Sequence, residues 1–282
     1  MLILAAIPLG NPLDASQSLK DAITSAKFIA AEDSRKFSRL CSDLGVIFSA
    51  KVISFFEGNE IERLEELVKI LESGSDLLVV TDAGAPGISD PGFRLARAAV
   101  EKNIRIKVLP GPSAVTTALL LSGLPSDRFC FEGFAPRTGG ARKSWFANLA
   151  TETRTIIFFE APHRLLDSLA DAKSELGPNR LGAICREMTK TYEEVIRGDL
   201  ETLHEWASSK EILGEITLVF AGFDPDSRQF SSEDLISEVL KQEAAGISRK
   251  EAIAEVARLS GVAKREVFDA MVTYKSQDRL GL

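Results

Sequence analysis

The feature that most constrains the fold is an alternation of short apolar runs with amphipathic segments over the first 122 residues. The runs, rich in β-branched and aliphatic residues, are LILAAI (2–7), FIAAED (28–33), KVISF (51–55), DLLVVTD (76–82) and IRIKVL (104–109). Between them, segments such as IERLEELVKIL carry apolar residues at helical spacing. This order predicts strand–helix–strand units and a mostly parallel α/β sheet.

A second unit begins near SGLPSD, where strands are separated by fewer helices. These predicted strands are RFCFEGF (128–134), TRTIIFFE (153–160), RLGAICRE (180–187), YEEVIRG (192–198) and GEITLVFAG (214–222). After a linker-like segment, the tail from Glu233 is helical in pattern throughout, and within it ISRKEAIAEVARLSG and KREVFDAMV predict two short helices. The predicted domains are an N-terminal α/β domain (1–122), a second α/β domain (123–222), a linker (223–232) and a helical C-terminal module (233–282).

Composition limits the classes of protein that this chain can belong to. Cys41, Cys130 and Cys185 are scattered without CxxC spacing, which argues against a disulfide framework or a zinc site and fits a reducing cytoplasm. No run reaches the roughly 18 apolar residues of a membrane span. We therefore expect a cytoplasmic protein without a metal. The net charge of −7 disfavours nucleic acid unless a local basic surface exists.

The segment VVTDAGAPGISDPGF (79–93) places glycines and prolines directly after a predicted strand. Asp82, Gly84 and Gly87 form D-x-G-x-x-G, half of a dinucleotide fingerprint, but the full G-x-G-x-x-G is missing and Pro86 has no N–H to offer a phosphate. Taken alone, this pattern is equally consistent with a tight strand-to-helix turn.

Four more loops with similar punctuation follow predicted strands. They are IPLGNP (7–12), AEDSRKFSR (31–39), LPGPSA (109–114) and EAPHR (160–164). Ligands of open α/β sheets bind outside the carboxyl ends of the strands. The five loops together therefore predict a small-molecule site.

Eight motifs in order resemble the tetrapyrrole-methylase superfamily. They are IPLGNPLDAS, AAEDSRKFSRL, SFFEGNE, VVTDAGAPGISDPGF, LPGPSAVTTALLLSGLPSDRFCFEGFAPR, FFEAPHRLLDSL, CREMTKTYEEVIRG and GEITLVFAG. The resemblance covers nearly the whole chain and is strongest to the branch that methylates a cytidine ribose 2′-hydroxyl of 16S ribosomal RNA in the decoding centre. It implies two α/β domains, S-adenosylmethionine bound in the cleft between them, and a homodimer acting on small-subunit ribosomal RNA.

The resemblance also implies which residues hold the cofactor. They are Pro8, Leu9, Gly10, Gly84, Ala85, Pro86, Ile88, Ser113, Ala114, Phe159, Glu160, Glu215 and Ile216. The chain departs from the family pattern at IPLGN for TPIGN, TDAGAP for SDAGTP, and SFFEGNE for SYHEHNE. Because Ala85 lacks the hydroxyl of the family's threonine, we expect it to contribute through its backbone, and no base is placed at Gly58.

Methyl transfer from a sulfonium to a hydroxyl needs in-line positioning and removal of one proton, and it needs no metal. Candidate catalytic residues are Asp33, Glu160 and Lys190, and the sequence does not choose among them. Asp33 is equally suited to cap the following helix. Lys190 is equally suited to pair with Glu193 or Glu194.

RNA contacts require local positive charge. The candidates are Arg35, His163 and Arg164 in the motifs, with Arg137, Arg142 and Lys143 in APRTGGARKSW. This last segment is interpreted as a flexible basic loop that folds over RNA, with a solvated linker as the alternative. In the tail, Arg249, Lys250, Arg258, Lys264 and Arg265 alternate with acids, and we expect a helical module that helps to hold the ribosomal subunit.

The leading hypothesis is therefore an S-adenosylmethionine-dependent (cytidine-2′-O)-methyltransferase of small-subunit ribosomal RNA. One alternative keeps the fold and methylates a tetrapyrrole such as a precorrin. The other is a non-catalytic ribosome-assembly factor with a vestigial cofactor pocket.

Overall fold

The computed structural model describes residues 1–224, 231–260 and 264–280, without the side chains of 258, 266 and 275–280. Two compact units are present, one made of residues 1–149 and 154–221 and the other of 150–153 and 222–282. The predicted boundary between residues 122 and 123 falls inside the first unit, between its two sheets. No helix in these ranges is long and apolar enough to cross a bilayer.

The first sheet has five parallel strands in the order β3-β2-β4-β1-β5. Its elements are β1 (Leu2–Ala5), α1 (Gln17–Ser25), β2 (Phe28–Ala31), α2 (Ser34–Asp43), β3 (Lys51–Ser54), α3 (Glu60–Glu72), β4 (Leu77–Val80), α4 (Phe93–Glu101), β5 (Ile106–Leu109) and α5 (Ala114–Ser122). In β4, Leu77 and Val79 join the core formed with α3 and α4, whereas Leu78 and Val80 join the core formed with α1 and α2. Burial on both faces explains why β4 is an unbroken apolar run.

The second sheet is mixed, in the order β6-β7-β10-β8-β9, and only β6 and β7 pair in parallel. Its elements are β6 (Phe129–Phe134), α6 (Gly139–Leu149), β7 (Thr155–Glu160), α7 (Leu165–Leu176), β8 (Leu181–Arg186), β9 (Glu194–Asp199), α8 (Leu200–Ser208) and β10 (Ile216–Phe220). Helix α5 packs on this sheet through Val115, Ala118 and Leu119. The predicted α/β fold is confirmed.

The segment predicted to be a flexible basic loop is helical from Gly139, so that prediction is wrong. Arg142 is 5% exposed, and its Nε donates to Asp171 Oδ2 on α7 at 2.7 Å. Phe146 and Leu149 are buried on the same helix. A buried, paired guanidinium anchors α6 and is not available to RNA, which also corrects the assignment of Arg142 as a substrate contact.

In the described residues the smaller unit contains three helices: α9 (Ser232–Ala244), α10 (Arg249–Ser260) and α11 (Lys264–Leu280). The last two correspond to the two helices predicted individually, and α9 lies in the tail from Glu233 that was predicted to be helical throughout. The three helices share a core of Leu235, Val239, Ala252, Ile253, Val256, Val267 and Met271. Helix α9 begins at a capping box in which Ser231 and Asp234 exchange hydrogen bonds. Most of the predicted linker and the side chain of Arg258 lie outside the described residues, and Arg249 pairs with Glu243 at 2.5 Å.

Candidate functional site

A cavity of about 370 Å³ lies at the carboxyl ends of the first sheet's strands and is closed by residues of the second sheet. Strand β1 connects toward one edge of the first sheet, to β2, while its neighbour β4 connects toward the other edge, to β5. Such a reversal leaves a crevice between two adjacent strands, where ligands of open α/β sheets bind. Ile7 and Gly84, which follow these two strands, exchange backbone hydrogen bonds of 2.8 and 3.2 Å.

The loop after β4 is shaped by four residues with positive φ: Gly84 (+71°), Gly87 (+84°), Ser89 (+60°) and Gly92 (+136°). Its N–H groups bond within the protein. Gly87 N donates to Pro91 O at 3.1 Å, and Gly92 N donates to Glu60 Oε1 at 3.0 Å. Because these donors are already used, the loop is a rigid shelf and not a phosphate cradle.

Most of the residues predicted to hold the cofactor line this cavity. They are Leu9, Gly84, Ala85, Ile88, Ser113, Ala114, Phe159, Glu160, Glu215 and Ile216. Pro8 and Gly10 line an adjoining cavity of about 170 Å³, which shares Leu9, Lys36 and Asp82 with the first. Pro86 packs behind the shelf, against Gly92.

The wall of the main cavity combines apolar and acidic side chains. Apolar residues that the sequence reasoning did not assign to the site include Val115, Phe134 and Met188. The acids are Glu32, Asp82, Asp90, Glu160 and Glu215, and Lys36 is the basic residue on the wall. Flat apolar surface suits an adenine ring and a methionyl chain, and carboxylates suit a sulfonium and an ammonium group. The residues therefore fit S-adenosylmethionine.

The loops after β2 and β4 are joined by exchanged hydrogen bonds. Asp82 N donates to Glu32 Oε2 at 3.0 Å, and Asp33 N donates to Asp82 Oδ1 at 3.1 Å. Lys36 Nζ lies 2.7 Å from Asp82 Oδ2, a bond that raises the pKa of Lys36. Burial raises the pKa of Glu32. These contacts fix one side of the cavity before any ligand binds.

Asp90 differs from the other acids on the wall. Among the residues that the structure describes, none donates a hydrogen bond to its carboxylate or forms an ion pair with it. Burial, followed by the charges of Glu32, Asp82 and Glu215, raises the pKa of Asp90 to about 7. Asp90 was not among the predicted site residues, because burial by distant residues leaves no local signal in a sequence.

The three candidate catalytic residues are all engaged in the structure. Glu160 accepts hydrogen bonds from Ala161 N at 2.8 Å and from Ser168 Oγ, and it pairs with Arg164. Asp33 caps α2. The hydrogen bond from the Arg35 side chain, followed by the one from the Arg35 backbone N–H, holds the pKa of Asp33 well below its usual range. Asp33 thus has the capping position that was its alternative role.

Lys190 is paired, although not with the partners that the sequence suggested. Its Nζ lies 2.9 Å from Glu187 Oε1 and 2.9 Å from Glu215 Oε2. Glu193 instead accepts from Thr189 N, and Glu194 pairs with Arg186 and Lys210. Lys190 therefore fastens the loop after β8 to the start of β10.

The basic residues predicted to contact substrate have different surroundings. The Arg35 side chain is 91% exposed, and its Nη2 lies 2.9 Å from Asp33 Oδ2. Arg164 forms an ion pair with Glu160 and donates a hydrogen bond to Ala135 O. Arg137 and His163 are exposed, and Lys143 Nζ lies 3.8 Å from Asp171.

Arg39 was missed by the sequence reasoning. It is exposed on α2 and lines the adjoining cavity. Its spacing of four residues from Arg35 in AEDSRKFSR, one helical turn, was the available signal. No group of three or more histidine, cysteine or acidic side chains in the described ranges could hold a metal ion.

Comparison with known proteins shows the same fold in solved structures and identifies relatives that are similar in sequence over nearly the whole chain. The tetrapyrrole (corrin/porphyrin) methylase family matches residues 1–204. A Mycobacterium tuberculosis protein named ribosomal RNA small subunit methyltransferase I is 48% identical over 272 residues, 96% of this chain and 94% of the relative. A Synechocystis protein of the same name is 38% identical over 95% of this chain and 96% of its own.

Among solved structures, diphthine synthase superimposes with a TM-score of 0.57 at 17% identity, covering 78% of this chain and 90% of that one. That likeness shows the fold alone. The family consists of S-adenosylmethionine-dependent methyltransferases, which confirms the predicted cofactor. The chain therefore belongs to the tetrapyrrole (corrin/porphyrin) methylases and, within them, to the ribosomal RNA small subunit methyltransferase I proteins.

Proposed function

We propose that the chain transfers a methyl group from S-adenosylmethionine to the ribose 2′-hydroxyl of a cytidine in the decoding centre of 16S, small-subunit ribosomal RNA. The observation that carries this proposal is an acidic, apolar-walled cavity with exposed cations beside it, in a chain similar over nearly its full length to proteins named for that RNA. A cytoplasmic homodimer with domains 1–122, 123–222 and 233–282 is part of the same proposal.

S-Adenosylmethionine, when bound, supplies a methyl group that is already activated by the sulfonium charge. The chain then has to hold the donor and exclude water. Leu9, Phe159 and Ile216 provide apolar contact for it, and the shelf at Gly84 and Ala85 provides a backbone surface. Fixing a nucleophile in line with a bound donor contributes about 7–11 kcal/mol to lowering the barrier.

RNA is the substrate class that the surroundings of the cavity favour. Arg137 follows β6 three residues after Phe134, which is on the wall, and His163 follows Pro162, also on the wall. Arg39 lies on the adjoining cavity. Exposed arginines and an exposed imidazole in these positions suit contacts with phosphates, and phosphate contacts position a strand without reading its sequence.

The tetrapyrrole alternative rests on the fold alone. The solved tetrapyrrole enzymes that superimpose on this chain are only distantly similar in sequence, and uroporphyrin-III-C-methyltransferase from Thermus thermophilus, for example, is 15% identical. The assembly-factor alternative requires a decayed pocket. The cavity instead keeps its rigid shelf and its carboxylates, which favours an enzyme.

The test is transfer of labelled methyl to small ribosomal subunits from a strain that lacks the modification, with large subunits and a precorrin as parallel substrates. We expect label in small-subunit RNA only. Label on the precorrin and not on RNA would establish the tetrapyrrole reading. Absence of label from every substrate, with no heat of S-adenosylmethionine binding, would leave the assembly-factor reading.

A further inference from the structure

One carboxylate on the cavity wall has no hydrogen bond or ion pair with any residue that the structure describes. Glu32 accepts from Asp82 N, Asp82 pairs with Lys36, and Glu215 pairs with Lys190. Glu160 is surrounded by three partners, as described above. In the part of the chain that the structure describes, Asp90 is the remaining acid of the wall and has neither a hydrogen-bond donor nor a countercharge.

The position of Asp90 also distinguishes it from Glu160. Ile88 and Ser89, immediately before it, are exposed, whereas Glu160 is 2% exposed. Asp90 thus lies toward the mouth of the cavity, where a group carried on a large RNA can reach it. Glu160 lies in the wall, where only a small enclosed molecule can approach.

The backbone around Asp90 is held on both sides. Ser89 is in the left-handed region at φ +60°, which is uncommon for a residue other than glycine. The hydrogen bond from Gly87 N to Pro91 O closes a short loop that contains Asp90. Gly92, which follows this loop, donates its N–H to Glu60 Oε1. A strained and closed loop presents the carboxylate in a fixed direction, as positioning of a reactive group requires.

We propose that Asp90 is the general base of the methyl transfer and accepts the proton of the ribose 2′-hydroxyl. In this step the oxygen–methyl bond forms as the carbon–sulfur bond breaks, and the sulfur keeps the bonding electron pair. The hydroxyl proton moves to an Asp90 carboxylate oxygen and is later released to water. The inference rests on the proposed function, since it assumes a hydroxyl acceptor.

The charges around Asp90 suit this role. Glu32 after β2, Asp82 after β4 and Glu215 before β10 oppose its ionisation, and the cations Lys36 and Lys190 are already paired with Asp82 and Glu215. With a pKa of about 7, the carboxylate is a stronger base than an ordinary aspartate and is still ionised in a large fraction of molecules at neutral pH.

The first test compares wild type with Asp90→Asn in single-turnover methyl transfer to small subunits, across pH values around neutrality. Loss of a general base lowers rates by about 10²–10⁴-fold. We expect a loss in that range in the variant at saturating S-adenosylmethionine, with unchanged subunit affinity. The wild-type kcat/KM, which reports the pKa of the free enzyme, should rise with pH through about 7, and the variant should lack that rise. Asp21→Asn is the matched control, because Asp21 is an exposed aspartate on α1.

Two further measurements do not depend on that variant's turnover. In cofactor-free protein, the carboxyl carbon resonance assigned to Asp90 should titrate near pH 7. In Asp90→Ala, added formate should restore part of the transfer rate because it supplies a small base to the space left by the side chain.

The results that overturn the inference differ from those that overturn the function. If wild type transfers methyl and the Asp90→Asn rate is within about threefold of the wild-type rate, the proposed general base is contradicted and the proposed function is not. So does a variant whose loss comes entirely from weaker S-adenosylmethionine binding, or a titration at an ordinary aspartate pKa of about 4. Failure of wild type to label any RNA contradicts the proposed function instead.

Discussion

Gly10 and Lys190 meet where the first loop of the chain faces the loop after β8. A Cβ added at Gly10 would lie 2.2 Å from Lys190 Cγ, a separation that real Cβ atoms do not show. The lysine stem cannot simply move aside, because its Nζ bridges Glu187 and Glu215. The glycine in IPLGNP is therefore required by a side chain that crosses above it.

Replacing Gly10 with alanine should destabilise the protein by about 1–3 kcal/mol, the usual cost of overpacking. Urea unfolding measures this change. The double variant Gly10→Ala/Lys190→Ala should show a favourable coupling energy, since removing the stem removes the clash. Gly140→Ala, with no atom within 4 Å of its added Cβ, is the control. Strictly additive effects of the two substitutions would contradict the proposed clash.

Asp90 should reduce stability at the pH where it acts. Its pKa is raised from 3.8 to about 7, so its favourable contribution to folding is complete below the unfolded pKa and is lost as pH rises through 7. The free energy of unfolding of Asp90→Asn should equal that of wild type near pH 4. Above pH 7 it should exceed the wild-type value by about 1–2 kcal/mol, after allowance for solvent screening. Thermal unfolding at several pH values measures this. A gain that is the same at all pH values, or a loss above pH 7, would contradict the assignment.

At the scale of elements, the shelf between β4 and α4 forms the floor of the site. Its composition was visible in the sequence, and two of its three glycines with positive φ, Gly84 and Gly87, belong to the D-x-G-x-x-G motif. The acceptor that holds Gly92 in place is not visible there, because Glu60 comes from the start of α3, 32 residues earlier.

Filling the shelf should block the cofactor without unfolding the protein. Ala85 is half-buried on the cavity wall, so Ala85→Trp should place an indole in the space for the ligand. We expect S-adenosylmethionine affinity in calorimetry to fall at least about 100-fold, roughly 2.7 kcal/mol. Ala147→Trp, on the exposed face of α6, should bind normally. Wild-type affinity in Ala85→Trp would mean that the loop is only a turn.

The elements differ in how far their sequences reveal them. Strand β4 was predictable because burial on both faces leaves an apolar run, and α3 because its apolar spacing is local. Helix α6 was not, because Gly139 and Gly140 disguise its start and Arg142 is read as a surface charge until Asp171 is placed beside it. Pairings between distant residues decide such cases, and they leave no periodic signal.

At the scale of the whole molecule, the acidic net charge and the proposed RNA substrate are compatible. Part of the negative charge lines the cavity, where a cationic donor would bind, while Arg39, Arg137 and His163 are exposed nearby. The positions proposed to hold the cofactor were implied by family resemblance, and most of them line one cavity. The proposed base was not implied, because a half-buried carboxylate without a partner among the described residues is a property of the assembled structure.

The most direct test of the central claim is the identity of the methylated nucleoside. Small subunits lacking the modification are treated with the protein and labelled S-adenosylmethionine, and their 16S RNA is then digested to nucleosides and separated by mass. The account predicts label in 2′-O-methylcytidine. Label in a base-methylated nucleoside, or in the 2′-O-methyl derivative of another nucleoside, would contradict it.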